Sequence, residues 1–295
     1  MNSSKLSLWI EAARPQTLPA AIVPVVVGAS LAYRVDLISW GNSTVALICA
    51  LLIQIGTNFA NDYFDFIKGS DTEDRIGFRR ATASGLITPE QMKRATILTM
   101  LFAFIMGLYL VWSAGWIVLL IGILSLIFGV LYTGGPFPLG YNGLGDVFVF
   151  IFFGFVAVMT TYYVNALEWS EASFWASIAV GALCVNILVV NNLRDVEQDK
   201  RSGKRTLGVL LGENALKFEY ILMAALAYAI PPHFYFILGF DLWILLPFVA
   251  APLLIYFSYK IWTETDKSKL NGMLEKTAKF MILYGFLFSI GILMN

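Results

Sequence analysis

Nine stretches of about 20 apolar residues, parted by short polar segments, run the length of this chain. They lie at about 17–35, 43–63, 95–113, 115–133, 145–166, 172–192, 216–237, 241–260 and 278–294. A helix needs roughly 20 apolar residues to cross the ~30 Å hydrocarbon core of a bilayer. Lipid offers no partner to a bare peptide group, so a segment that long must close its own hydrogen bonds as a helix. The expected fold is therefore all-α: a polytopic membrane protein of nine transmembrane helices, a single integral domain over 1–295. Composition agrees, since only 14% of residues are charged and 58% are hydrophobic, whereas soluble domains carry about 25% charged residues. The N-terminus has no apolar run followed by a small-residue cleavage site, so the first span is expected to be retained. Cys49 and Cys184 both fall in apolar runs and read as small core residues.

The placement of charge predicts the topology. Of 20 Lys and Arg residues, only Arg34 falls on one side of the nine spans. The rest fall before the first span, after the second, after the sixth and after the eighth. By the positive-inside rule the crowded side is cytoplasmic. The expected location is the cytoplasmic membrane, with the N-terminus and the polar clusters described next on the cytoplasmic side. Net charge is zero, which gives no reason to expect nucleic acid. No protein partner can be read; the bilayer is the surrounding the sequence demands.

Two polar clusters end the second and sixth spans. The first runs Asn58-Phe59-Ala60-Asn61-Asp62-Tyr63-Phe64-Asp65 and continues to Lys68 and Asp71. The second runs Asn191-Asn192-Leu193-Arg194-Asp195-Val196-Glu197-Gln198-Asp199. Both contain N-[DN]-x-x-D, 130 positions apart, and each is followed by a basic, glycine-containing loop. This predicts two related halves, about 14–133 and about 145–260, around a central cavity, with a final helix at about 278–294. On a helix, Asn61 shares a face with Asp65, Asn58 with Asp62, and Asn191 with Asp195 and Asp199. Stacked carboxylates near a bilayer repel one another and are costly to desolvate. Mg²⁺ resolves this, because it takes oxygen ligands and bridges one or two carboxylates to phosphate oxygens. Asp62, Asp65, Asp195 and Asp199 are thus the expected catalytic carboxylates, with Asn58, Asn61 and Asn191 beside them as metal-site candidates. Lys68, Arg75, Lys204 and Arg205, just beyond, are placed to hold the outer oxygens of a diphosphate. The plainer reading makes every one of these acids a solvated helix-end charge paired with a neighbouring base.

Other residues carry two readings each. Asp146 caps a helix or contacts an acceptor, with the cap favoured. Arg14 meets an acceptor carboxylate or merely marks topology, and Arg79 and Arg80 carry the same two readings. Tyr132 and Tyr141 touch the acceptor or sit at the membrane interface. His233, after two prolines on the outer side, is not expected to be catalytic, and no Ser/His/Asp set exists. A secondary transporter is the alternative of another class, since it too uses polar groups on interrupted helices. A phosphatidyltransferase lacks support because its D-G-x-x-A-R pattern is missing.

The paired patterns Asn61-Asp62-x-x-Asp65 with Asp71, and Asp195-x-x-x-Asp199, resemble the Asp-rich motifs of the UbiA superfamily of intramembrane aromatic prenyltransferases. Further stretches narrow the resemblance to its menaquinone-pathway branch: Arg14-Pro15-Gln16-Thr17-Leu18-Pro19, NDYFDFIKGSD, YTGGPFPLGYNGLGD and NNLRDVEQDKRSGKRTL. The resemblance implies Mg²⁺-dependent transfer of a polyprenyl group from its diphosphate to an aromatic acid. In this branch the acceptor is 1,4-dihydroxy-2-naphthoate, carbon dioxide is lost and demethylmenaquinone forms; related members use 4-hydroxybenzoate. It also implies a cavity open to lipid and capped on the cytoplasmic side. One departure concerns Gly69, where many members have Asp; Asp71 is the nearest substitute as a metal ligand.

Overall fold

Each of the nine apolar stretches falls on a helix in a computed structural model that describes residues 5–71 and 76–295. Among the described residues there is no strand. A short helix α1 (Lys5–Ala13) leads through a one-turn elbow, Pro15–Thr17, into α2 (Pro19–Arg34). Then come α3 (Trp40–Ile67), α4 (Pro89–Ala114), α5 (Trp116–Leu131) and α6 (Gly145–Ala166). The chain continues with α7 (Glu171–Arg201), a short α8 (Leu207–Leu211), α9 (Glu213–Phe236), α10 (Leu242–Thr263) and α11 (Leu270–Leu293).

Six of these, α3, α4, α6, α7, α10 and α11, are long and apolar enough to cross a membrane. A seventh qualifies if α1 with its elbow and α2, bent by 56°, count as one broken span. The nine-span expectation meets a physical limit in the others. α5 has 16 residues, or about 24 Å at 1.5 Å per residue, short of a full hydrocarbon thickness. α9 is longer but carries Glu213, Lys217 and Glu219 in its first two turns.

Local chemistry sets the ends. Ser39 caps α3 by accepting from the Asn42 amide, and Thr88 and Gln91 form a reciprocal capping box on α4, with Pro89 in its first turn. Gly115, at φ 91°, closes α4 and opens α5, a conformation side chains resist. The connectivity puts every basic loop at one end of the bundle. Trp40, Trp112, Trp116, Trp169 and Trp243, all exposed, mark the other end. Such a ring of tryptophans is what a membrane–water interface selects.

α7 is the central pillar: 78% of its apolar window is buried, against 28% for α3. It packs on α6, α9 and α11 in the main core. Contact with α6 is backbone-close, since a Cβ on Gly154 would lie 2.6 Å from the Ser177 carbonyl; small residues permit such approach in membranes. The middle of α6, Phe150–Met159, is wound as a π-helix.

Candidate active site

α3 has 28 residues and α7 has 31, about 42 and 46 Å, both longer than the hydrocarbon is thick. Their last turns therefore emerge at the basic end, and those turns carry the acid clusters. One cavity of about 380 Å³ joins them. At its polar mouth stand Asn58, Asn61 and Asp65 from α3, and Asn191, Asp195 and Asp199 from α7. Arg14, Arg80, Lys204, Tyr132 and Tyr141 complete the mouth. From there an apolar arm runs between α3, α4, α5 and α6 to Val111, Val118 and Val164. Leu110, Ala114, Val118 and Val164 form a small buried cluster at that far end.

Asp65 has three side-chain partners among the described residues. Its Oδ1 accepts from the Tyr141 hydroxyl at 2.6 Å and from Lys204 Nζ at 3.2 Å. Its Oδ2 lies 3.2 Å from Arg80 Nη2. Tyr141 is thus a brace for Asp65 rather than an interface aromatic. Its ring lies between two ammonium groups, Lys68 at 4.7 Å and Lys204 at 4.6 Å from the centroid. Burial, and then the Asp65 carboxylate, push the Tyr141 phenol well above its ordinary value, so it remains a donor. Lys68 donates to the Thr133 carbonyl at 2.6 Å. Partial burial lowers its pKa, with Asp65 opposing.

Asp195 is paired with a cation of its own helix. Arg194 donates to Oδ1 and Oδ2 at 2.7 Å each, and also to Asn191 Oδ1 at 2.7 Å and Asn271 Oδ1 at 2.9 Å. Asp199 accepts from the Thr206 hydroxyl at 3.4 Å. Asn61 Oδ1 accepts from the Thr133 hydroxyl at 2.7 Å. Asn58 lines the mouth but gives its amide hydrogens to the Ala13 carbonyl and the Thr17 hydroxyl, fastening the elbow after α1.

Several expected residues sit elsewhere. Asp62 does not line the cavity; its two oxygens accept from the Ala81 and Thr82 amides at 3.0 Å each, so it anchors the loop before α4. Asp71 is also turned from the cavity and lies 3.3 Å from Arg80 Nε, bracing that guanidinium. Arg205 is exposed, and its backbone amide donates to the Tyr141 carbonyl. Arg75 lies outside the described residues. Asp146 is not the N-cap of α6, a place held by Leu144. It is buried in the first turn, where a negative charge suits the helix dipole, and its Oδ1 has no hydrogen-bond partner among the described residues. Tyr132 lines the mouth.

Arg194 is the residue that sequence reasoning passed over as a site member, while Arg80 reads in the sequence either as an acceptor contact or as a topology marker. The roles of both depend on contacts a pattern does not encode. Among the described residues, no three of His, Cys, Asp and Glu come together as a metal-binding group. The donors divide instead into two sets, one per helix, across the mouth. That arrangement suits Mg²⁺ arriving with a phosphate group and keeping water ligands, rather than a cation held by protein alone.

The comparisons with known proteins agree with this geometry. The UbiA prenyltransferase family matches residues 21–284. The 1,4-dihydroxy-2-naphthoate octaprenyltransferase of Escherichia coli (strain K12) is 39% identical, over 99% of this chain and 97% of that protein. Its counterpart of the same name in Mycobacterium tuberculosis is 36% identical, over 94% and 93%. In fold, the chain is similar to a UbiA homolog from Archaeoglobus fulgidus bound to GPP and Mg²⁺, with TM-score 0.66, 14% identity, and 96% and 100% coverage. A UbiA homolog from Aeropyrum pernix K1 superposes with TM-score 0.68 at 14% identity, over 92% and 98%. With the opposed carboxylates, the apolar arm and these full-length likenesses together, the chain belongs to the UbiA prenyltransferase family and is a multi-pass membrane prenyltransferase.

Proposed function

We propose that the protein transfers a polyprenyl group from polyprenyl diphosphate to 1,4-dihydroxy-2-naphthoate. The C1–O bond to diphosphate breaks, a bond forms from C1 to the ring carbon bearing the carboxylate, and that carboxylate leaves as carbon dioxide. The product is demethylmenaquinone, first in its quinol form. One observation carries this reading: a single cavity joins a mouth of carboxylates and cations to a long apolar arm, matching a molecule with a diphosphate head and a hydrocarbon tail. The acceptor rests on the relatives named for it.

Asp65, Asp195 and Asp199, with Asn61 and Asn191 beside them, would hold Mg²⁺. When bound, Mg²⁺ supplies positive charge to the leaving diphosphate. The protein's own cations act in the same direction: Arg80 and Lys204 line the mouth and are set to donate charge-assisted hydrogen bonds to phosphate oxygens. Tyr141 fixes the Asp65 carboxylate while this happens. Arg14 and Tyr132 border the same mouth and are the groups nearest to hand for an aromatic acid. The apolar walls keep water from a developing allylic cation, and their aromatic faces, Phe148 and Phe152 among them, attract positive charge. On this reading all nine apolar helices lie within the membrane, with the basic end cytoplasmic. The transporter alternative finds less support, because the arm ends in a packed apolar cluster rather than a second polar gate.

The test is purified protein in detergent with Mg²⁺, a polyprenyl diphosphate and a panel of aromatic acids. Dihydroxynaphthoate should yield a prenylated, decarboxylated product and stoichiometric carbon dioxide. Prenylation of 4-hydroxybenzoate alone would overturn the acceptor, and no transfer to any acid would overturn the reading itself.

A further inference from the structure

α5 lays a broad face along the apolar arm. Val118, Gly122, Ser125 and Gly129 recur on it at steps of four, three and four residues, and all line the cavity. Leu119 and Leu126, beside Gly122 on the wheel, line it as well, so Gly122 sits at the middle of the lining face. A Cβ at Gly122 meets no atom within 4 Å. Two other glycines of the cavity-lining and pillar helices have a packing reason: a Cβ at Gly129 would stand 2.7 Å from Thr57 Oγ1, and one at Gly181 would stand 2.9 Å from the Phe150 carbonyl. Gly122 has none, although glycine weakens a helix relative to alanine. What its missing side chain leaves is room inside the arm. On α4, Gly107 lines the same arm, and a Cβ there approaches only Cys49 Sγ, at 4.0 Å. Ala46, Cys49 and Ala103 keep that stretch of wall small.

Gly122 lies ten residues from Tyr132 at the mouth, about 15 Å along the helix, comparable to an extended farnesyl chain. Val118, in the cluster that ends the arm, lies one turn further on.

We propose that Gly122 is a specificity-determining residue for prenyl chain length: its bare backbone makes the space that chains longer than farnesyl need, while shorter chains end before it. This rests on the prenyl-transfer reading above. The experiment measures kcat/KM for geranyl, farnesyl and octaprenyl diphosphates with dihydroxynaphthoate, in the wild type and in Gly122→Leu, Gly122→Ala and Ile127→Phe. Ile127 is exposed on the lipid side of the same helix, so its variant adds bulk away from the arm.

Gly122→Leu should lower kcat/KM for octaprenyl diphosphate by about tenfold or more while leaving geranyl diphosphate within about twofold. Ile127→Phe should change neither. Gly122→Ala should lower the octaprenyl-to-geranyl ratio less than Leu does and raise Tm, because its methyl meets empty space and improves helix propensity. An unchanged ratio in the Leu variant overturns the proposal. If that variant does not fold, an unchanged ratio in the Ala variant overturns it equally. A wild type inactive with all three diphosphates would instead bring down the prenyl-transfer reading, and this inference with it.

Discussion

Asp65 on α3 and Asp195 on α7 hold the same place in a shared five-residue pattern, yet they are neutralised in opposite ways. Asp65 draws its partners from across the chain: Arg80 from the loop before α4, Tyr141 from the turn before α6, Lys204 from the loop after α7. Asp195 takes a two-pronged charge partner from the adjacent residue, and Arg194 is then tied to Asn191 and Asn271. Both carboxylates are nearly enclosed, Asp65 at 2% and Asp195 at 5% exposed, but their cations differ: Arg194 on the buried pillar α7 is 1% exposed and Arg80 9%. A buried pair of this kind resists rearrangement, because removing one partner strands a charge in low dielectric. On the α3 side Tyr141 holds the carboxylate at 2.6 Å, while the two cations stand at 3.2 Å each and are better suited to turning toward an incoming diphosphate. One motif thus serves as a fixed post on α7 and as a rearrangeable clamp on α3.

The largest effect expected concerns what the two sides share. Asp65→Ala and Asp195→Ala should each lower kcat by about 10²–10³-fold or more, the scale for losing a preorganised electrostatic group. Full turnover in either variant, in a steady-state assay, would break the symmetry of the two acids. The next contrast separates post from clamp. Arg194→Ala should cost about 3 kcal/mol of stability, seen as a lower Tm in detergent. Arg80→Ala should leave Tm closer to wild type and raise KM for prenyl diphosphate about tenfold, the value of one charge-assisted contact. If Arg80→Ala proves the less stable and Arg194→Ala the weaker binder, the assignment is reversed. The smallest effect lies on the post itself. Asn186, wholly buried on α7, has neither amide atom hydrogen-bonded among the described residues. Asn186→Leu, close in volume, should be neutral or raise Tm by a few degrees, since it removes two unsatisfied groups. A marked fall in Tm would show that the amide has a structural role.

Much of this was legible beforehand. Apolar run length located the helices, and the repeated N-[DN]-x-x-D located both sides of the mouth, because each depends on spacing along one helix. What was hidden depends on spacing through the fold. Asp62 looks like Asp65 in any pattern, but a helix turns them about 60° short of a full circle apart. Only the returning loop decides that Asp62 meets the Ala81 and Thr82 amides while Asp65 meets the cavity. Tyr141 could be recognised as a site member but not as a brace, since its partner lies 76 residues away. Arg80 was half legible: beside Arg79, in a basic loop, it reads as an acceptor contact or as a topology marker, not as a partner of Asp65. In the structure the two part, Arg79 to Glu11 on α1 and Arg80 to Asp65.

The sequence distances of the Asp65 contacts also bear on how the protein comes off the ribosome. Asn58, which fastens the elbow after α1, is made 45 residues after the Ala13 carbonyl it holds. α1 is thus synthesised first but has no seat until α3 is nearly complete. Asp65 then waits for Arg80 after 15 residues, Tyr141 after 76 and Lys204 after 139. A chain halted before the end of α7 would carry that carboxylate with one of its two cations still unmade. Assembly of the mouth is therefore one of the later events in the life of the nascent chain.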